Sequence, residues 1–190
     1  QFRPVEYEAG FELGEGIHVH FHDAGHILGS SMLEIHATED GTETQVLFSG
    51  DIGRSGQPIM RDPTCVKEAD FVIMESTYGD RDHSETDWEE KLAEVINETL
   101  ERNGNIIIPA FAVGRTQIIL YYLSRLFQAG KIPSIPVIID SPLAIAATDI
   151  FRRNTKYYDQ EATDILKSEH QNPIMMQQLQ FTRTADESKA

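Results

Sequence analysis

The stretch DAGHILGS, residues 23–30, follows a segment of alternating apolar and polar residues and contains a histidine flanked by glycines. The preceding segment IHVHFH, 17–22, has the period of a half-buried strand, and SMLEIH, 31–36, alternates in the same way. Glycine on each side of the loop lets the backbone turn sharply and approach a neighbouring segment closely. The pattern predicts two strands joined by a loop that displays the side chain of His26.

A second displayed side chain is that of Asp51, which lies between Gly50 and Gly53 directly after the predicted strand 45–49. A carboxylate at the end of a buried strand can bind metal and, unlike an imidazole, can bridge two ions. The alternative is an Asx turn that caps the strand.

A third candidate is Glu75, which ends the apolar run FVIM at 71–74. Such a run is typical of a strand buried on both faces. A carboxylate at its end needs a partner, because burying a bare charge is costly. That partner is either a functional site or an ion pair with Arg81. Three strand ends therefore present His, Asp and Glu in order, which indicates a metal site without specifying a reaction.

The remaining histidines of this region, His18, His20 and His22, lie on one face of their predicted strand. Imidazoles on one face can bind zinc. For His18 and His20 we favour the solvated face of an edge strand, because spacing alone is a weak motif.

The second half of the sequence alternates strands and helices, which predicts a parallel sheet with crossover helices. The shift in pattern near residue 80 is the candidate domain boundary. The predicted buried strands are 106–108 and 137–139, and the predicted helices are 85–102, 115–129, 144–154 and 159–168.

Composition narrows the function classes. The chain of 190 residues has 16 Lys and Arg against 31 Asp and Glu, a net charge of −15. This argues against a domain that binds nucleic acid by bulk charge but leaves room for one locally basic cleft. The single cysteine, Cys65, excludes an internal disulfide. No apolar run is long enough to span a membrane, and a cytoplasmic location is expected.

Several motifs together resemble a known family. AGHILGS (24–30) and SGDIG (49–53) resemble the third and fourth metal motifs of metallo-β-lactamase-fold ribonucleases, and ESTYG (75–79) resembles motif A of their β-CASP branch. NIIIPAFAVGRTQ (105–117) and IPVIIDSPLA (135–144) resemble two strand–loop–helix units of the β-CASP insert. The motifs occur in the family's order over nearly the whole chain.

The resemblance implies an α/β fold. Residues 1–80 would be part of a metallo-β-lactamase αββα sandwich, and 81–190 part of a β-CASP domain with a mostly parallel sheet.

The resemblance also implies roles. His26 would be a ligand of one zinc ion, Asp51 would bridge two, and Glu75 would orient and charge a catalytic histidine. The family's chemistry is phosphodiester hydrolysis of RNA by a metal-bound hydroxide, with a histidine protonating the leaving oxygen. His22 and Asp23 would shape the loop.

The sequence also departs from the family. Its main ligand motif, His-x-His-x-Asp-His, is absent. HVHFHD at 18–23 differs in residue order and lies too close to the third motif. The histidines of motifs B and C would follow residue 190. We therefore expect an internal piece that is inactive alone, in a protein that binds two zinc ions and cleaves RNA.

Arg115 opens a predicted helix, where a guanidinium and helix amides suit a phosphate. It is predicted either to contact RNA or to form an interdomain ion pair, and Ser141 would line the same cleft.

Alternative functions are a DNA-directed nuclease of the superfamily, a non-catalytic β-CASP scaffold and a nucleic-acid clamp. Endo- or exonucleolytic cleavage, and monomer or homodimer, stay open.

Overall fold

The computed structural model describes residues 3–82 and 87–189. The chain divides into two compact units, Gln1–Arg81 and Asp82–Ala190. The first is a sheet with long loops, and the second is mainly helical. The predicted α/β class is confirmed. No helix in the described part of the chain has the length and apolarity needed to cross a bilayer.

The first unit is a five-stranded sheet in which each strand pairs with the next along the chain. Pairing is antiparallel up to the fourth strand, and the last pair is parallel. The strands are β1 Gly10–Gly14, β2 Ile17–Asp23, β3 Ser31–Glu39, β4 Thr42–Phe48 and β5 Phe71–Ile73.

The first strand, β1, was missed because GFELG combines two glycines with a short apolar pattern. Since it pairs with β2, β2 lies inside the sheet, and the edge-strand interpretation of His18 and His20 is wrong. His20 packs over Gly10 on the neighbouring strand. A Cβ at Gly10 would lie 2.4 Å from the imidazole Cε1 of His20, so a larger residue here would have to displace this ring.

The strand β5 forms where predicted, but it is not buried. Phe71, Val72 and Ile73 are 62%, 56% and 53% exposed. Among the described residues β5 pairs with β4 alone, so its other edge is open. Apolar composition favours the strand, whereas burial requires neighbours on both sides.

One face of this sheet carries a ladder of alternating imidazoles and carboxylates. His22 contacts Glu8 through Nδ1 (2.8 Å) and Glu34 through Nε2. The other oxygen of Glu34 receives Nε2 of His36 at 3.0 Å, and Nδ1 of His36 contacts Glu43 at 3.2 Å. The ladder therefore spans the sheet from the segment before β1 to β4.

The hydrogen bonds of the ladder shift the pKa values of His22, His36 and Glu34. Burial alone would lower the pKa of His22, but its hydrogen bonds to Glu34 and Glu8 outweigh burial and raise it. The bond to Glu43 raises the pKa of His36. Burial would raise the pKa of Glu34, but bonds from both histidines lower it. Each shift favours the charged form of its group.

The ladder should stabilise the fold most between about pH 4.5 and 6.5. The histidine contribution is complete below the usual imidazole value of 6.5 and is lost as pH rises through the raised pKa. The Glu34 contribution is present above the usual carboxyl value of 4.5 and is lost as pH falls through the lowered pKa. The free energy of urea unfolding of the chain minus that of Glu34→Gln should therefore be largest in this window.

The matched control is Glu15→Gln, because Glu15 is exposed and has no side-chain partner among the described residues. Its difference from the parent chain should show no such maximum. A pH-independent difference for Glu34→Gln would contradict the charged ladder.

The second unit contains a parallel sheet, as predicted, but its two strands include one, Leu179–Phe181, that was not predicted. Its described residues also form five α-helices. The strands are β6 Val137–Ile139 and β7 Leu179–Phe181. The helices are α1 Trp88–Glu101, α2 Arg115–Gln128, α3 Pro142–Arg153, α4 Gln160–Glu169 and α5 Ala185–Lys189. The predicted helix starting at residue 85 begins in the segment 83–86, which lies outside the described residues.

The predicted buried strand 106–108 is wrong. These residues adopt no regular structure, and Ile107 is 91% exposed. No described strand of the second unit pairs with this segment. The three isoleucines favour extended backbone, but a strand also needs a hydrogen-bonding partner.

A buried glutamine joins α2 to α3. The Oε1 of Gln117 accepts the Gly114 amide at 2.7 Å, and its Nε2 donates to Ala112 O at 3.1 Å and Thr148 Oγ1 at 2.9 Å. All the hydrogen-bonding capacity of a fully buried side chain is thereby used except one lone pair. Gly114 has φ +83°, a conformation that strains any residue with a Cβ.

Candidate functional site

The loop that carries His26 is fixed by side-chain caps. Oδ1 of Asp23 accepts the amide of Gly25 at 2.9 Å. Oγ of Ser30 accepts the amides of His26 and Ile27 at 3.1 and 3.2 Å. These bonds use the backbone donors of the loop and leave the half-buried imidazole displayed.

The other oxygen of Asp23, Oδ2, is buried and has no hydrogen-bond partner among the described residues. Burial raises the pKa of Asp23, although the bond from Gly25 opposes the shift. Asp23 therefore holds the loop through one oxygen, in agreement with the loop-shaping role expected from the sequence.

The loop of His26 meets the loop of Asp51 backbone to backbone. Gly53 donates its amide to Ala24 O at 2.7 Å, and Gln57 Nε2 donates to His26 O at 3.1 Å. A Cβ at Gly53 would lie 1.8 Å from Gly25 O, which is an impossible contact. The glycine after Asp51 is thus required for the two loops to meet.

The third segment is attached through Ser49, which the sequence analysis did not single out. Its amide donates to Ile73 O at 2.9 Å, and its Oγ accepts the amide of Glu75 at 3.0 Å. The Oε1 of Glu75 in turn accepts the amide of Ile52 at 2.6 Å. The only sequence signal for Ser49 is a small polar residue between a strand and a glycine.

The charge of Glu75 is stabilised locally. The Ile52 amide, followed by the hydroxyl of Thr77 and the nearby imidazole of His26, lowers the pKa of Glu75. Residues 26, 52 and 75 therefore belong to one electrostatic neighbourhood. The predicted alternative, an ion pair with Arg81, does not form.

Arg81 instead contacts its neighbour Asp80 at 3.6 Å, and its guanidinium lies 5.4 Å from the ring centroid of Tyr78. Glu75 is therefore held by main-chain and hydroxyl donors and carries no cationic side-chain bond that would occupy it.

The carboxylate of Asp51 is exposed and makes no hydrogen bond or ion pair with any described residue. It does not form the Asx turn considered above. Imidazole and carboxylate suit zinc chemically. However, within residues 3–82 and 87–189 no three His, Cys, Asp or Glu side chains converge to hold a metal ion. His26 and Asp51 can therefore supply only part of a ligand set.

The two remaining candidates lie in the second unit. Arg115 is the first residue of α2, and its side chain is exposed. Oγ of Ser141 accepts the amide of Ala144 at 3.2 Å and so caps the N-terminus of α3. Serine directly before a proline is typical of a helix N-terminus, a signal that the sequence analysis did not use.

The chain is similar to proteins of RNA metabolism. Residues 116–190 match the Beta-Casp domain. Ribonuclease TTHA0252 of Thermus thermophilus is 32% identical over 99% of this chain and 42% of its own length. The RNase J-like protein of Methanocaldococcus jannaschii is 37% identical over 77% of this chain and 35% of its own length. Residues 116–190 therefore form part of a Beta-Casp domain.

A further relative is the transcription termination factor FttA of Methanosarcina mazei. It is 34% identical over 90% of this chain and 27% of its own length. The chain thus spans less than half the length of each of these relatives.

The contact between the two loops predicts that a single methyl group added at Gly53 lowers the stability of the chain. Gly53→Ala should destabilise the chain by about 1–3 kcal/mol, the usual cost of overpacking, because its Cβ collides with Gly25 O. Gly14→Ala is the matched control, since a Cβ there meets no atom within 4 Å.

The control should change the free energy of urea unfolding by no more than about 0.5 kcal/mol. If both variants unfold at the same urea concentration as the parent chain, the close approach of the loops is refuted.

Proposed function

We propose that the protein containing this chain hydrolyses phosphodiester bonds of RNA and uses zinc to do so. The observation that carries the proposal is that hydrogen bonds donated by backbone amides join the loops of His26, Asp51 and Glu75, in a chain that contains a Beta-Casp match. The relatives named as ribonucleases support RNA as the substrate. The chain itself would contribute one part of the active site.

In this proposal His26 and Asp51 are zinc ligands, and the remaining ligands come from outside the described residues. Asp51 is suited to bridge two ions because both its oxygens are free of described partners. Bound zinc would neutralise phosphate charge and acidify a water molecule.

Glu75 is proposed as the carboxylate that orients and charges a catalytic histidine. The Ile52 amide and the Thr77 hydroxyl favour the carboxylate form of Glu75, so Glu75 stays charged near the imidazole of His26 at neutral pH. A fixed carboxylate next to an imidazole selects the tautomer and orientation of that ring. One oxygen of Glu75 is bound to Ile52, so the carboxylate cannot rotate freely.

The chain alone should be metal-poor and inert, whereas the full-length protein should bind about two zinc ions and cleave RNA. In the full-length protein, Asp51→Asn should lower the zinc content, measured by plasma mass spectrometry. It should also reduce cleavage of labelled RNA by more than the about 10–100-fold typical of residues that only support ligands. Asp40→Asn, in the exposed turn after β3, is the matched control and should match the parent.

Tight zinc binding and cleavage by the isolated chain would show that His18, His20 or His22 are ligands and that our ligand assignment is wrong. A full-length protein with zinc but without cleavage would favour a scaffold function.

We also propose that Arg115 contacts the RNA backbone. Its guanidinium is exposed at the start of α2 and has no partner among the described residues. The first amides of a helix add a favourable field for phosphate.

Arg115→Ala should weaken RNA binding about tenfold, as expected for one lost charge-assisted phosphate contact. The comparison is made by fluorescence anisotropy in the full-length protein at fixed salt. Arg3→Ala, an exposed arginine of the first unit, serves as the control for loss of one positive charge. Equal RNA affinities of Arg115→Ala and the parent would refute the RNA contact and favour the alternative, an interdomain ion pair.

A further inference from the structure

A cleft of about 510 Å³ runs along one face of α3 in the second unit. This is the size of a ligand pocket. We call it the arginine cleft. Its charged rim consists of Asp149, Arg152, Arg153 and Arg183, and its apolar wall includes Ile145, Met175 and Phe181. None of the candidate metal or positioning residues belongs to it.

The charge of the arginine cleft is opposite to that of the chain. Three guanidiniums face one carboxylate, although the chain carries a net charge of −15. The two oxygens of Asp149 accept Nη2 of Arg152 and Nη2 of Arg153, each at 2.7 Å. One carboxylate thus orients two guanidiniums, and each retains further N–H donors.

The third guanidinium is placed by an aromatic ring. Arg183 lies 6.0 Å from the ring centroid of Phe181 and makes no ion pair with a described residue. The nearby carboxylate of Glu187 accepts the backbone amide of Arg183 at 2.6 Å, so it is engaged by the main chain. A half-buried aromatic ring next to an arginine presents a flat apolar surface beside a positive charge.

Another cleft in the same unit shows what a structural cluster of charges looks like. There, Arg125 contacts both Glu89 and Glu161, and Lys131 contacts Glu89 at 3.4 Å. Asp164 adds a further carboxylate to its lining. In that cleft, protein carboxylates neutralise the cations. In the arginine cleft, the cations outnumber the carboxylates.

We propose that the arginine cleft binds the phosphate backbone of single-stranded RNA, with a base stacked against Phe181. The inference rests on the proposed function, in that RNA is taken to be the substrate. Guanidiniums form bidentate, charge-assisted bonds with phosphate. Stacking of bases on aromatic rings contributes binding that tolerates sequence variation. The cleft thus holds substrate outside the set of residues that would carry the reaction.

The test measures binding of a fluorescein-labelled single-stranded RNA to the full-length protein carrying Asp51→Asn, the variant in which we expect cleavage to be strongly reduced. In this background Arg153→Gln and Arg183→Gln should each weaken binding about tenfold and make it less salt-dependent, by about 0.7 in the logarithmic slope. Asp149→Asn removes the one carboxylate among the described residues that line the cleft and should tighten binding. Arg102→Gln, an exposed arginine at the end of α1, should bind like the background protein.

Binding curves of Arg153→Gln and Arg183→Gln that coincide with that of Arg102→Gln at every salt concentration overturn the proposal. So does the absence of measurable RNA binding. Cleavage by the protein with Asp51 intact is scored separately. If the arginine variants lose affinity but the protein with Asp51 intact does not cleave RNA, the proposed hydrolysis is refuted and RNA binding by the arginine cleft is supported. Cleavage with unaltered affinities would refute the cleft alone.

Discussion

The arrangement of the first unit depends on one close contact between backbones. The amide of Gly53 reaches Ala24 O at 2.7 Å, and no side chain fits between this glycine and Gly25. This contact joins the loops of His26 and Asp51, which are separated by 25 positions in the sequence. Ser49 and the Ile52 amide then attach Glu75 to the same place. Glycine is required here for its missing Cβ, so the candidate site is a product of main-chain packing more than of side-chain packing.

The local balance of positive and negative side chains differs between the sheet, the loops of the candidate site and the surface around α3. Within the sheet, the imidazoles of His22 and His36 are each bound on both ring nitrogens by carboxylates in a continuous ladder. At the loops, Asp51 stays without a described partner and Glu75 is held charged by neutral donors. Around α3, guanidiniums outnumber carboxylates. A net charge of −15 therefore describes the chain poorly, because the local balance of charges decides what each surface can bind.

Most elements of regular structure could be predicted because their signals are local. Strands β2 to β4 follow from alternation, and α2 to α4 follow from apolar periodicity ended by glycine or polar residues. The errors are those of burial and pairing. Phe71–Ile73 and Ile106–Ile108 are both apolar runs, yet the first is an exposed strand and the second is not a strand. An apolar run indicates a preference for extended backbone but does not state which neighbour covers it.

The sequence by itself determined the α/β class, the family resemblance and the three displayed residues His26, Asp51 and Glu75, because each is encoded in a contiguous motif. Only the tertiary structure revealed Ser49 as the link to Glu75, the ladder through Glu34 and the arginine cleft. Each of these joins residues that are distant in sequence, or uses a side chain with several possible partners. Which partner it takes is decided by the register of strands and the packing of helices, and no local pattern contains that information.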